Sequence, residues 1–122
     1  MIKIVIKAIP PSNNLFLGNS HNFNEYQRTK QDWHWLIKFA INKRPAKPYE
    51  SAVVSIKYFF PDRKRRDPDN YSGKMLLDPL VREGILKDDS FKYITLRLEA
   101  DYCKEDPRTE ITIEERNDKN SK

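Results

Sequence analysis

Ala52, Val54, Ile56, Tyr58 and Phe60 recur at every second position in SAVVSIKYFF, which commits residues 51–60 to an extended strand with one buried face. A helix would scatter the same side chains around its circumference. The period of two returns at residues 2–9 through Ile2, Ile4, Ile6 and Ala8, and at 91–103 through Ile94, Leu96, Leu98 and Ala100. It returns again at 108–115, with Ile111 and Ile113. Strands that hide one face need another layer laid over it. The stretch EYQRTKQDWHWLIKFAINK supplies one: Trp33, Leu36, Ile37, Ala40 and Ile41 follow helical spacing, with Asn24 as the expected N-cap and Pro45 and Pro48 ending the helix. A second helix is predicted over 71–83, with Leu76, Leu77, Leu80 and Val81 as its stripe and Gly84 as its stop. Pro79 falls inside it, so either the helix kinks or Asp78 caps a new short helix beginning at Pro79.

The element order is therefore β-α-β-α-β-β. It implies an α/β (α+β) fold of one small domain, a mixed sheet with helices packed on it. PPSNN stops the first strand, residues 15–23 and 87–90 read as loops, and the short link KEDP predicts an antiparallel hairpin between the last two strands. A chain of 122 residues suits a single core, expected over 1–116, with residues 117–122 as a disordered tail.

Charge then narrows the class of partner. The formal net charge is +5 and the isoelectric point about 9.3, which favours a polyanion. Residues 1–61 hold nine Lys/Arg against three Asp/Glu, whereas 62–122 hold fourteen against fifteen, so the carboxylates concentrate in the second half. Cys103 is the only cysteine, which excludes an intrachain disulfide and a cysteine zinc cluster; it reads as a strand residue. Lys3 and Lys7 interrupt the apolar N-terminus, so no signal peptide is expected, and no apolar run is long enough for a membrane helix. These features point to a cytoplasmic protein with no membrane partner.

PDRKRRDPDN, residues 61–70, sets Arg63, Lys64, Arg65 and Arg66 against Asp62, Asp67 and Asp69. In an extended segment Asp67 and Asp69 point the same way, and Pro68 disfavours a helical conformation at Asp67. Two converging carboxylates form a hard oxygen site suited to Mg²⁺, an ion that takes one or two carboxylates together with waters and substrate phosphate. Asp88 and Asp89 follow one helix later, where a strand–helix return could bring them back. The cations would hold a phosphodiester while a bound metal activates water. Two blander readings compete: a solvated, ion-paired surface loop, or a basic localisation patch. A calcium loop would use Asp67, Asp69 and Asp78 at its first, third and twelfth positions, but Tyr71, Ser72 and the terminal Asp spoil the pattern.

PPSNN after the first strand, PDRKRRDPDN after the second, then a helix carrying K-x-x-x-D and ending in G-x-x-x-DD, together resemble the RusA family, in order from about Pro10 to Tyr93. That family comprises small phage- and prophage-associated Holliday junction resolvases, Mg²⁺-dependent endodeoxyribonucleases for which Mn²⁺ is a possible substitute. The resemblance implies that Asp67, Asp69 and Asp89 are the essential metal-binding carboxylates and Lys74 the important lysine. Gly73 competes with Lys74 for its position, and Asp88 with Asp89; the register favours Lys74 and Asp89. The resemblance also implies a homodimer acting on branched DNA, whose two-fold junction would receive paired symmetric nicks. Arg63, Lys64, Arg65 and Arg66 are the candidate DNA contacts, with Asn13 and Asn14 offering amides to phosphate. Trp33 reads as core, Trp35 and Phe39 as facing a second layer or a partner subunit. His21, in a loop, and His34, on a charged helix, have no partner carboxylate visible in sequence. A non-catalytic junction- or duplex-binding protein, and a nuclease for flaps or forks, are the competing functions.

Overall fold

The computed structural model describes residues 1–13 and 21–116; the tail expected at 117–122 lies outside the described residues, as does most of the loop expected at 15–23. The elements follow the expected order: β1 (Ile2–Ile6), α1 (His21–Ala40), β2 (Ala52–Phe60), α2 (Lys74–Arg82), β3 (Ile94–Tyr102) and β4 (Arg108–Glu115). They form a single small α+β domain in which two helices cover one face of a four-stranded mixed sheet.

The strand order is β1-β4-β2-β3. β2 and β3 run parallel, with Ala52 opposite Ile94 and Phe60 opposite Tyr102. β4 lies antiparallel to both β1 and β2. The expected β3–β4 hairpin is thus not formed: KEDP carries the chain past the end of β2 and inserts β4 into the sheet centre. Burial accounts for this. Ile111 and Ile113 are fully buried at that position, whereas β3, with Arg97, Glu99 and Asp101 exposed, has the charged character of an edge strand. β2 keeps all five of its alternating apolar residues in the core, as its sequence requires. Cys103 lies one residue beyond β3, its N–H donating to the Phe60 carbonyl at 2.8 Å.

α1 begins at His21, so Asn24 is inside the helix rather than its cap, and His21 is helical rather than in a loop. The helix ends at Ala40, with one last bond from the Ile41 N–H to the Ile37 carbonyl (3.1 Å). Pro45 lacks the N–H that would have bonded to the Ile41 carbonyl. Its buried stripe is Trp33 and Ile37, with Tyr26 and Ala40 packed alongside. Leu36, expected in that stripe, is exposed beside Trp35 and Phe39, because the Trp33–Ile37 pair sets the rotation of the helix.

α2 is one helix through Pro79, and no new helix starts there. Asp78 caps nothing; it pairs with Lys30 and Arg82. Met75, Leu76, Leu77, Pro79 and Leu80 face the core, and Val81 is half-buried. Gly84 ends the helix as expected, at φ 78°. The Ile85 N–H reaches the Leu80 carbonyl (2.9 Å) and the Gly84 N–H that of Val81 (3.1 Å), a Schellman closure sealed by the buried Leu80–Ile85 pair.

Candidate active site

The basic-acidic block forms the connection from β2 to α2, and its own side chains shape it. Arg66 folds back: its guanidinium pairs with Asp62 (2.7 Å), donates to the Asp62 and Lys64 carbonyls, and lies 4.2 Å over the Phe60 ring. Asp62 also accepts from the Lys64 N–H (3.1 Å), and these two bonds hold its carboxyl below the usual range. Arg63 rests on the Tyr102 ring at 4.3 Å. Lys64 and Arg65 project outward, Arg65 with 89% of its side chain exposed and its Nε 3.2 Å from Asp67. Of the four cations, Arg66 therefore holds the loop and the other three present charge.

Asp67 is extended (φ −104°, ψ 142°), as the following proline requires, but the chain then turns. Pro68–Asn70 form a 3₁₀ turn closed by the Asn70 N–H on the Asp67 carbonyl (3.0 Å). Asp67 and Asp69 thus sit on a turn rather than on one extended face. The Asp69 carboxylate is exposed and has no ion-pair partner among the described residues. Asn13 reaches in from the first loop, its amide donating to the Asp69 carbonyl (3.0 Å) and the Ser72 hydroxyl (3.2 Å). Its amino group braces the acidic turn. Asn14 lies outside the described residues.

Gly73 follows at φ 83°, buried against Ile56, and Lys74 is the first residue of α2. Of the two competitors for the lysine position, only Lys74 offers a charge, on an exposed side chain whose ammonium lies 5.5 Å over the Tyr26 ring. The calcium loop is ruled out, because residues 74–78 are helical and Asp78 is paired with cations. Beneath the turn, Tyr71 packs edge-on against Tyr58 (5.8 Å) and Phe60 (5.1 Å). A cavity of about 80 Å³ there is bordered by Asp67, Tyr58 and Ala100. The Tyr58 hydroxyl is buried with no hydrogen-bond partner among the described residues; burial, reinforced by Tyr71, pushes its pKa far up. Sequence reading assigned Tyr58 to the core but carried no sign of this orphaned hydroxyl or of the Asn13 brace, since both depend on contacts between distant segments.

Asp88 and Asp89 lie between α2 and β3, Asp88 half-buried and Asp89 exposed. The parallel register separates them from the turn. Asp67 borders Leu98–Ala100, whereas Asp89 precedes Ile94, and the Leu86–Tyr49 bridge holds its segment at the start of β2. The four to six residues from Ile94 to that stretch span roughly 13–20 Å of strand. Among the described residues, no three His, Cys, Asp or Glu side chains are grouped to hold a metal ion. Asp67 and Asp69 alone offer two hard carboxylates on an open turn, a donor set that suits a hydrated divalent cation whose remaining ligands are water and phosphate.

No helix among the described residues is long and apolar enough to cross a membrane. None of the curated proteins compared with the chain matches it. The family profile described as endodeoxyribonuclease RusA matches residues 9–114, from the Asn13 brace through the acidic turn, Lys74 and Asp89 into β4. The chain therefore belongs to the RusA family of endodeoxyribonucleases, generally metal-dependent enzymes of DNA recombination and repair that resolve Holliday junctions.

Proposed function

We propose that the turn at Asp67–Asn70 is the catalytic centre, that Asp67 and Asp69 hold Mg²⁺ (or Mn²⁺ in its place), and that Asp89 completes the site from a second copy of the chain. The observation that carries this reading is the exposed Asp69 carboxylate, unpaired among the described residues, on the turn that joins the exposed Arg63, Lys64 and Arg65 to Lys74 at the start of α2. Those cations draw a DNA strand onto the turn, and Lys74 offsets the charge that grows on the phosphate as water attacks. Arg66 contributes by keeping the loop in shape. The bound ion would polarise the phosphate and supply a water of lowered pKa. The water oxygen bonds to phosphorus and the P–O3′ bond breaks, leaving a ligatable 3′-hydroxyl and 5′-phosphate; the water's lost proton and the one taken up by O3′ exchange with solvent at this open turn.

The strand register supports the shared site. Asp89 precedes β3 while the acidic turn follows β2, toward opposite ends of that parallel pair, and a two-fold axis can set the Asp89 end of one copy against the acidic turn of another. Such a homodimer meets a four-way junction with two equivalent centres. Its place of action is the cytoplasm, where the DNA is. Cleavage of a labelled four-way junction, beside matched duplex, flap and fork, tests the reading. Paired symmetric nicks in Mg²⁺, absent in EDTA and reduced at least about 100-fold in Asp69→Asn, are expected. Wild-type rates in Asp69→Asn would overturn the assignment.

A further inference from the structure

A polar groove of about 720 Å³ runs between α1 and α2, away from the acidic turn. On α2 its wall is made by Asp78 and Arg82, four residues apart on one helix face, and Lys74 lies one turn before Asp78 on that face. On α1 the opposing residues appear in the same order. Tyr26 lies at Lys74, Lys30 pairs with Asp78 (3.8 Å), and His34 meets Glu83 beyond Arg82 (2.8 Å). The groove therefore begins about one helical turn from Lys74 of the candidate centre. It carries Arg28, Lys30 and Arg82 against a single carboxylate, Asp78, which draws Lys30 and Arg82 (3.2 Å) together over the floor. Arg28 pairs only loosely with Glu25 at the outer lip (3.7 Å), and Gln27 and Gln31 add amide donors. An open, cationic, amide-lined channel suits an extended polyanion better than a small apolar ligand. Along α1 the lining runs from Asn24 to Trp35, a helical rise of about 16 Å, room for four to five nucleotides at roughly 3.4 Å each.

We propose that this groove is a second DNA contact, in which Lys30 and Arg82, with Arg28 at the lip, hold the backbone of the junction arm that leaves the cleaved strand. The inference rests on the nuclease reading above and adds to it where the arm is held. Asp78 has a defined part: it sets the two cations at a fixed spacing and limits their net attraction.

The test uses the full chain, a fluorescent four-way junction in EDTA across a salt series, and single-turnover cleavage in Mg²⁺ at saturating protein. For a Lys30→Gln/Arg82→Gln double variant, affinity near 0.15 M salt should fall about tenfold or more, and the slope of log affinity against log salt should shrink by about two. Cleavage at saturation should stay within about twofold. Asp78→Asn should bind the junction more tightly, whereas a merely structural Asp78 would give weaker binding and a lower melting temperature. An unchanged slope in a folded double variant would overturn the proposal. So would conversion of a dimer to monomer by that variant on size-exclusion chromatography, which would assign the groove to a second copy of the chain. If the nuclease reading itself fails, the wild-type chain cuts no junction in Mg²⁺, whether or not it binds one; if only the groove assignment fails, wild type and variant bind and cut alike.

Discussion

Gly73 joins the acidic turn to α2, and it can do so only as glycine. At φ 83° an L side chain is strained, and a Cβ would stand 2.7 Å from Ile56 Cδ1 in the sealed core. Gly84 has nearly the same backbone angle but open space around it. Comparing the two separates backbone strain from packing. Gly84→Ala should cost about 1–2 kcal/mol, the left-handed penalty alone, whereas Gly73→Ala should cost about 1 kcal/mol more because Ile56 must move. Urea denaturation midpoints of the two variants, read at unchanged m-value, check the difference. Gly73→Ala should also slow junction cleavage, since it moves Lys74 relative to Asp69, while Gly84→Ala should not. At this scale the sequence was an uneven guide. Glycine at 84 was readable as a helix stop because the signal is local. The need for glycine at 73 was not, because it comes from Ile56 in another element.

Between elements, α1 and α2 are pinned by Glu83, whose side chain is 13% exposed and pairs with His34 (2.8 Å) and Arg44 (3.0 Å). Burial alone would raise the Glu83 pKa, but the bonds from His34 and Arg44, with the nearby charge of Lys38, outweigh it and leave the pKa below its ordinary 4.5. A carboxyl depressed in the folded state stabilises above its unfolded pKa, and that contribution is lost as pH falls through the folded value. Glu83→Gln should therefore cost about 1–2 kcal/mol at pH 7. The gap from wild type should narrow as pH drops below about 4.5, the ordinary value for this group. Melting curves of both proteins from pH 7 to pH 3 measure it, and a gap independent of pH would refute the role given to the carboxylate. Helix existence was legible from spacing, but which face of α1 turns inward was not. Leu36 and Ile37 are equally apolar in sequence, and only the fit of Trp33 and Ile37 against the sheet chose between them.

In the whole molecule, strand order places the acids. β2 and β3 are parallel, so residues that follow the first and precede the second fall toward opposite ends of the sheet. The site shared between copies, proposed above, is tested by mixing. Asp67→Asn and Asp89→Asn proteins should each be inactive alone. Equal mixtures, unfolded and refolded together, form mixed dimers as about half of the population, each with one centre free of both substitutions and one carrying both. Nicking of single strands should return to roughly a quarter of the wild-type level, with paired cuts still missing. No recovery, in mixtures shown to contain mixed dimers, would place all three acids in one subunit's centre. The sequence by itself determined the strands, the two helices, the extended Asp67 before Pro68 and the concentration of cations beside carboxylates, because period, caps and proline act over a few neighbouring residues. Only the tertiary structure decided that β4 enters the sheet between β1 and β2 instead of closing a hairpin on β3, and that Arg66 turns inward while Lys64 and Arg65 face out. It alone set Asp67 after β2 and Asp89 before β3, toward opposite ends of that parallel pair. The physical reason is the same in each case: burial of Ile111, Ile113 and Phe60 is won through contacts between distant segments, and the polar residues take the positions that this burial leaves to them.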